Sequence, residues 1–441
     1  DQAMLNATQT LQDKGWMKNV VHAIGGSDPY LQAVIYGYMN AAGDILEDTL
    51  FGGNIQSFSK NAAFAVQQLT SAELQKLFED GINILTYFGH SSANTLEFNL
   101  DDPTVYNNKG KYPLFIVNGC NAGNFFLYDT TRFTSSNQTL SEKYVLANQR
   151  GSIGFIASTH YGIVNYLNIY SNSLYAAIAG EGYGETVGQL QVRAIRRLLE
   201  ITGETEYYGK LHSEEITLHG DPAIRIYPHV QPDYVVEEPR VKITPAFVSV
   251  ADASFEVEAK VYNIGRAIND SIVLRVERQM PDGSRSDLVR KKIPAIRYSD
   301  SVRITVPINP LTDKGENRII VTIDADNAVA EASEGNNTIS KPVVIIEDEA
   351  RPVSPYNYSI VNTPNITFYA SAANPFSPSK NYVMEIDTTE LFNSSFKKTQ
   401  SLTTSGGLLQ FNVPGLTLQD STVYYWRTAP VPAQGNAYVW N

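Results

Sequence analysis

INILTYFGHSSAN (residues 82–94) and YPLFIVNGCNAGN (residues 112–124) decide how this chain folds. Each runs a strand-length apolar segment into a glycine and then a reactive side chain, His90 in the first and Cys120, the chain's only cysteine, in the second. Short apolar runs broken by Gly, Asn and Ser read as buried strands entering tight turns. Two adjacent parallel strands of an open α/β sheet bring such turns together at their carboxyl ends, where ligands bind. A thiol, whose ionised form is the nucleophile, then lies beside an imidazole that takes and returns a proton near neutral pH. Taken alone, the pairing has a plain alternative. A single cysteine is often a small buried hydrophobe, and a histidine at a strand end is often a satisfied polar group.

Outward from these two stretches, residues 1–228 alternate short apolar strands with helical periods, which predicts a mostly parallel sheet covered by helices on both faces. Strands are expected at 20–24, 82–88, 113–118, 153–157 and 223–227. Helices are expected at 30–42, at 71–80, where Thr70 and Glu73 have capping-box spacing, and at 186–201, where Leu190, Ala194, Ile195 and Leu198 share a face.

Four segments in this half resemble the gingipain family of cysteine peptidases, relatives of caspases. They are Tyr87 to His90; the strand into Cys120, continuing as CNAGNF; GSIGFIAST (residues 151–159); and ITLHGDPAIRIYP (residues 216–228), whose Gly220-Asp221-Pro222-Ala223 is similar to the family's closing signature. The resemblance covers about residues 1–228 and implies a caspase-like α/β sandwich. It implies Cys120 as nucleophile, His90 as general acid/base, and the backbone amides of Ser91 and Cys120 as the oxyanion site. Gly89, Gly119 and His160, which follows the strand at 153–157, are expected to line the cleft, with a plain loop histidine as the alternative for His160. Two positions depart from the family pattern. Ser91 stands where a second glycine follows the histidine. Ile24, in VVHAIGGSDP, stands where arginine-specific members carry a glutamate that orients the histidine. Asp28 is the candidate acid for a basic substrate side chain, while His22, inside an apolar strand, and His219, before the Gly-Asp-Pro turn, read as structural.

After HVQPDYVVEEPRV (residues 229–241) the helical period disappears and alternating strands with Asn, Gly, Asp and Pro turns take over. Residues 232–347 resemble adhesion-type immunoglobulin-like modules of bacterial surface proteins, on the words AKVYNIGRA (259–267) and VTIDADNAVAEASEGNNTI (321–339). Residues 351–441 resemble a fibronectin type III-like domain, on NITFYASAANPF (365–376) and LTLQDSTVYYWRTAPV (416–431), with Tyr425 and Trp426 as candidate core aromatics. The fold class expected is therefore an α/β caspase-like sandwich followed by two all-β immunoglobulin-like sandwiches. Asp324, Asp326 and Glu331 carry oxygens suited to calcium, but their spacing favours turn formation.

The 441 residues, 43% hydrophobic, suffice for two to four domains with their own cores. A net charge of −12 argues against nucleic acid as a partner, and the basic run at 285–303 reads as the solvated face of a β-hairpin. No apolar stretch is long enough to span a membrane, and any signal peptide is expected outside this sequence. One cysteine permits no internal disulfide, which suits a cytoplasmic protein or a Gram-negative surface protein alike. No zinc spacing and no phosphate loop occur, so no metal and no cofactor are expected.

Two functions compete. The first is a cysteine endopeptidase acting on proteins or peptides at the cell surface or outer membrane. Among family members, the long β regions resemble the sortase-type component of the bacterial type IX secretion system, which removes carboxyl-terminal sorting signals from cargo. Partners would then include other secretion-system or surface proteins. The second is an impaired peptidase fold serving as an adhesin or secretion scaffold.

Overall fold

The computed structural model describes residues 10–26, 28–59, 71–96, 98, 100, 102–126, 138–227, 229–363, 365–432 and 437–441. Its first half is built on a six-stranded sheet of β1 (Asn19–Ile24), β2 (Asn54–Ser59), β3 (Ile84–Phe88), β4 (Leu114–Asn118), β5 (Gly154–Ser158) and β6 (Ile216–Gly220), in the order β2-β1-β3-β4-β5-β6. All neighbours are parallel except β5 and β6. Strands β3, β4 and β5 are buried at every position, as strands covered on both faces must be.

Because side chains alternate across a strand, each strand feeds two cores. Val20, Ile24, Ile84, Phe88, Leu114, Ile116 and Ile156 pack on one side with α1 (Pro29–Glu47), α4 (Val164–Ala179) and α5 (Val187–Thr202). Val21, Ala23, Leu85, Tyr87, Phe115, Val117, Phe155 and Ala157 pack on the other with α2 (Ser71–Asp80) and α3 (Leu140–Leu146). Aromatic rings fill the second core: Phe115 stacks on Phe155 at 5.3 Å and Phe78 on Tyr106 at 4.0 Å. Helix α2 occupies the expected residues, although Thr70 lies outside the described residues. Helix α5 starts one residue after its N-cap Thr186, in a capping box with Gln189.

One expected strand is replaced. The sixth strand is Ile216–Gly220, antiparallel to β5, and residues 223–227 form no strand. Gly220 (φ +135°) breaks the extended run. The Asp221 carboxylate then accepts the Ala223 amide at 2.8 Å, and the Pro222 and Ile224 carbonyls accept the first amides of α5, Gly188 at 2.9 Å and Val187 at 2.8 Å. Backbone groups that a strand would have paired are spent on capping a helix.

Beyond residue 229 the described structure is all β. One pair of sheets joins β7 (Tyr234–Val235), β8 (Val241–Thr244), β10 (Ser254–Asn263) and β13 (Ser299–Pro307) to a facing sheet of β9 (Val248–Ser249), β11 (Ser271–Gln279), β12 (Arg285–Pro294), β14 (Gly315–Thr322) and β15 (Thr338–Ile346). Val257, Val261, Val276 and Val321 lie in their shared core. Of the basic run at 285–303, residues 285–294 are the outer strand of the β11–β12 hairpin and mostly exposed, while its end, from Ser299, belongs to β13 of the facing sheet and so lies outside that hairpin. A second pair holds β16 (Ala350–Ser354), β17 (Thr367–Ala372) and β20 (Leu408–Asn412) against β18 (Lys380–Asp387), β19 (Lys398–Thr404) and β21 (Tyr425–Pro430). Phe368, Tyr382 and Phe411 form its core. Trp426 packs on that core, edge-on to Phe368 at 5.2 Å, with its indole N–H donated to the Pro355 carbonyl at 3.1 Å. Tyr425 does not join it: alternation along β21 turns this side chain outward, 40% exposed.

Candidate active site

Strands β3 and β4 are in parallel register with Phe88 opposite Asn118, and the Gly89 amide extends the ladder by donating to the Asn118 carbonyl at 3.1 Å. His90 and Cys120 therefore each stand two residues beyond a matched pair, at the carboxyl ends of neighbouring strands. The glycines between are dictated by space. A Cβ on Gly89 would lie 2.6 Å from the Tyr87 hydroxyl oxygen and 2.8 Å from Gly25 Cα, and one on Gly119 would lie 2.1 Å from Ser91 Oγ. That hydroxyl donates to the Cys120 carbonyl at 2.7 Å, and the Tyr87 hydroxyl donates to the His90 carbonyl. Side chains of one strand end thus hold the backbone of both.

His90 is exposed, and Cys120 and Ser91 are half-buried. After Cys120 the chain turns sharply through Asn121, at φ 57°, a left-handed conformation that Asn tolerates better than most residues. The turn is laced to the end of β5: the Asn121 amide donates to the His160 carbonyl at 2.7 Å and the Gly123 amide to the Ser158 carbonyl at 2.9 Å. Among the described residues no backbone carbonyl takes the Cys120 amide. His160 is at this rim. Its ring is exposed and sits edge-on to Tyr161 at 4.6 Å, while its carbonyl also accepts the Ser158 hydroxyl at 3.1 Å.

The sulfur of Cys120 meets a segment that sequence reasoning did not mark. The Gly162 amide lies 3.4 Å from Sγ and the Gly162 carbonyl 3.9 Å away. The next amide, of Ile163, donates at 2.8 Å to Nε2 of His212, a buried residue of α6 (Tyr207–Glu215). Glu215, one turn on and also buried, places its carboxylate 3.8 Å from that nitrogen. Burial raises its affinity for a proton, and neither oxygen has a hydrogen bond of normal geometry among the described residues. His212 and Glu215 share a helical spacing with many solvated pairs, and no sequence signal ties α6 to the loop after β5.

Other candidates have structural positions. Ile24 is fully buried between Ser59 and Phe88. Asp28 caps α1, accepting the Tyr30 and Leu31 amides at 2.9 and 3.0 Å. His22 is buried, with Nε2 3.0 Å from the Tyr175 hydroxyl, and burial lowers its pKa to about 3. His219 is half-buried against Phe125 at 4.9 Å, and burial lowers its pKa as well. Asp324 accepts the Ala328 and Val329 amides, Asp326 pairs with Arg290, and Glu331 accepts the Tyr234 amide and the Asn337 side chain. Their oxygens form turns and pairs, and among the described residues no three acidic, histidine or cysteine side chains converge as metal ligands.

The model of peptidase family C25 matches residues 2–227, and that of CARDB matches residues 231–341. No curated protein matches the chain. Among solved structures, the chain is similar to the arginine-specific cysteine proteinase gingipain R, at 16% identity over 77% of this chain and 69% of that one with a TM-score of 0.39. It is also similar to the complex of pro- and mature domains of a Porphyromonas gingivalis proteinase, at 15% identity over 77% and 70% with a TM-score of 0.38. A CARDB domain from Pyrococcus furiosus, solved in complex with di-metal ions, is 25% identical over 27% of this chain and 91% of that one, with a TM-score of 0.22. With just over half of its length matched by the one family model, the chain belongs to peptidase family C25, the gingipain-type cysteine peptidases.

Proposed function

We propose that the chain is a cysteine endopeptidase in which Cys120 is the nucleophile and His90 the general acid/base. The observation that carries the reading is the register of β3 and β4, which ends two neighbouring parallel strands in a histidine and the chain's only cysteine within a C25 sequence. In this mechanism the Cys120 thiolate attacks the scissile carbonyl and the carbonyl oxygen becomes an oxyanion received by the amides of Cys120 and Ser91. His90 protonates the leaving amine, then takes a proton from the water that releases the acyl group. Gly89, Gly119 and His160 line the cleft.

The same reading covers the setting of the enzyme. Substrates are proteins or peptides, the unit at 1–228 carries the chemistry, and the units at 232–347 and 351–441 are immunoglobulin-like and fibronectin type III-like modules. The location is extracellular or at the outer-membrane surface of a Gram-negative bacterium. The role is that of a type IX secretion sortase, removing carboxyl-terminal signals from cargo in the company of other secretion-system proteins. A second reading, an impaired peptidase serving as a scaffold, is favoured by Ile24, whose buried side chain cannot act as the orienting carboxylate.

A thiol-directed peptidyl probe separates the two. Labelling that maps to Cys120, disappears in Cys120→Ala and falls about 10²- to 10⁴-fold in His90→Ala supports the enzyme. Absence of labelling with every peptidyl probe leaves the scaffold.

A further inference from the structure

We propose that His212 is a positioning residue whose neutral imidazole, by accepting the Ile163 N–H, fixes the Gly162 N–H as a donor to the Cys120 sulfur and so favours the thiolate. The inference rests on the reading of Cys120 as the nucleophile.

The tautomer follows from the partners. Nδ1 of His212 lies 2.7 Å from the Tyr208 carbonyl, which can only accept, so Nδ1 carries the proton. Nε2 is then a lone pair, and the Ile163 amide fills it at 2.8 Å. A protonated ring has no acceptor to offer. Burial keeps the ring neutral by lowering its proton affinity, although the Glu206 carboxylate and the bond to Tyr208 pull the other way. Tyr166 stacks on the ring at 5.1 Å and Glu215 lies 3.8 Å from Nε2. The imidazole is therefore clamped on both nitrogens and one face.

What it clamps is the backbone against the thiol. The Gly162 amide reaches Sγ at 3.4 Å. Gly162 is crowded there, because a Cβ would fall 2.5 Å from Leu167 Cδ1 and 3.1 Å from the Gly119 carbonyl. As a thiol, Cys120 has the Gly162 carbonyl within reach at 3.9 Å; as a thiolate it keeps only the amide. A hydrogen bond to the anion is the stronger of the two and favours ionisation. The ionisable groups around this unit are His90 from the end of β3, His160 from the end of β5, Glu206 at the N-cap of α6, Tyr208 and Glu215 from α6, and Tyr166 from α4.

The test uses the full chain, whose single cysteine makes alkylation unambiguous. Iodoacetamide alkylation of Cys120 is followed against pH in the wild type, His212→Leu and His212→Gln. Leucine offers no acceptor, and the glutamine amide oxygen takes the place of Nε2. The expected result is a midpoint about one pH unit higher in His212→Leu, restored in His212→Gln. Equal midpoints in all three overturn the inference. If His212→Leu fails to fold, nitrogen NMR of histidine-labelled wild type decides: an unprotonated Nε2 on His212 sustains the inference, and a protonated Nε2 ends it. Peptide cleavage is scored separately. A midpoint that follows residue 212 without cleavage of any peptide removes the peptidase reading and leaves this one standing; cleavage with an unmoved midpoint does the reverse.

Discussion

Ser91 and Gly119 show how little room a reactive turn leaves. The Ser91 hydroxyl occupies the space beside Gly119 and ties down the Cys120 carbonyl, so the serine that departs from the family pattern has a structural use of its own. Gly119→Ala sets a methyl 2.1 Å from that oxygen. It should destabilise the fold by about 1–3 kcal/mol and reduce probe labelling at Cys120, as thermal denaturation and labelling rates will report. Ser91→Gly should remove one hydrogen bond, about 1 kcal/mol, and retain labelling. Ile24 obeys a different constraint. Its side chain is fully buried among Ile35, Met39 and Phe88, so Ile24→Glu forces a carboxylate into an apolar core. The expected outcome is a drop in melting temperature with no gain in thiol reactivity, and a variant that keeps its melting temperature and reacts faster would show that the site draws on that carboxylate.

At the scale of elements, β3, β4 and α2 were legible because each announces itself locally: an apolar run into Gly, or a short amphipathic period between breakers. The placement of His90 and Cys120 at neighbouring strand ends was legible for the same reason. Helix α4 was not, since Ser173, Ala177 and Ala179 are buried beside the stripe of Leu167, Tyr170, Leu174 and Ile178, so burial runs around most of the helix and leaves a weak helical period. The segment 223–227 misled in the opposite way, alternating like a strand while its Ile224 carbonyl caps α5. Helix α4 also carries the polar joint of the sheet, where the Tyr175 hydroxyl lies 3.0 Å from His22 Nε2 and 2.5 Å from the Thr86 hydroxyl. Tyr175→Phe should therefore cost about 1–3 kcal/mol by leaving buried partners unsatisfied. The joint also makes stability depend on pH. Burial lowers the His22 pKa from 6.5 to about 3, so the unfolded chain binds a proton that the folded chain refuses. This contribution is complete above about pH 6.5 and fades as pH falls toward about 3, by up to about 1.4 kcal/mol per unit. Urea denaturation at successive pH values should show the slope, and replacing His22 by a residue that does not titrate should flatten it.

Across the whole molecule, the seam between the peptidase half and the first β pair is built largely on backbone carbonyls, which no pattern in either half reveals. The Tyr227 hydroxyl shares its one proton between the Ile264 and Gly265 carbonyls, 2.9 Å from each, and the Ala267 amide donates to the Leu50 carbonyl at 2.9 Å. Lys18, fully buried with its amine on the Phe51 carbonyl and 5.0 Å from the Tyr227 ring, is held toward the neutral form by burial. Gly52 is the tightest point: at φ 57° its missing Cβ would lie 2.4 Å from the Arg297 carbonyl oxygen. The second β pair meets the first through lighter contacts such as Phe247 against Phe376 at 5.1 Å. Two consequences follow for calorimetry. A chain ending at residue 347 should unfold its peptidase half at the full-length temperature, whereas one ending at residue 231 should unfold it several degrees lower, because Tyr227 and Lys18 lose their cover. Gly52→Ala in the full chain, which strains the backbone and presses on the Arg297 carbonyl and the buried Ala267 across the seam, should split one cooperative transition into two. A single unshifted transition in Gly52→Ala would mean that the seam absorbs the methyl group and the halves stay coupled.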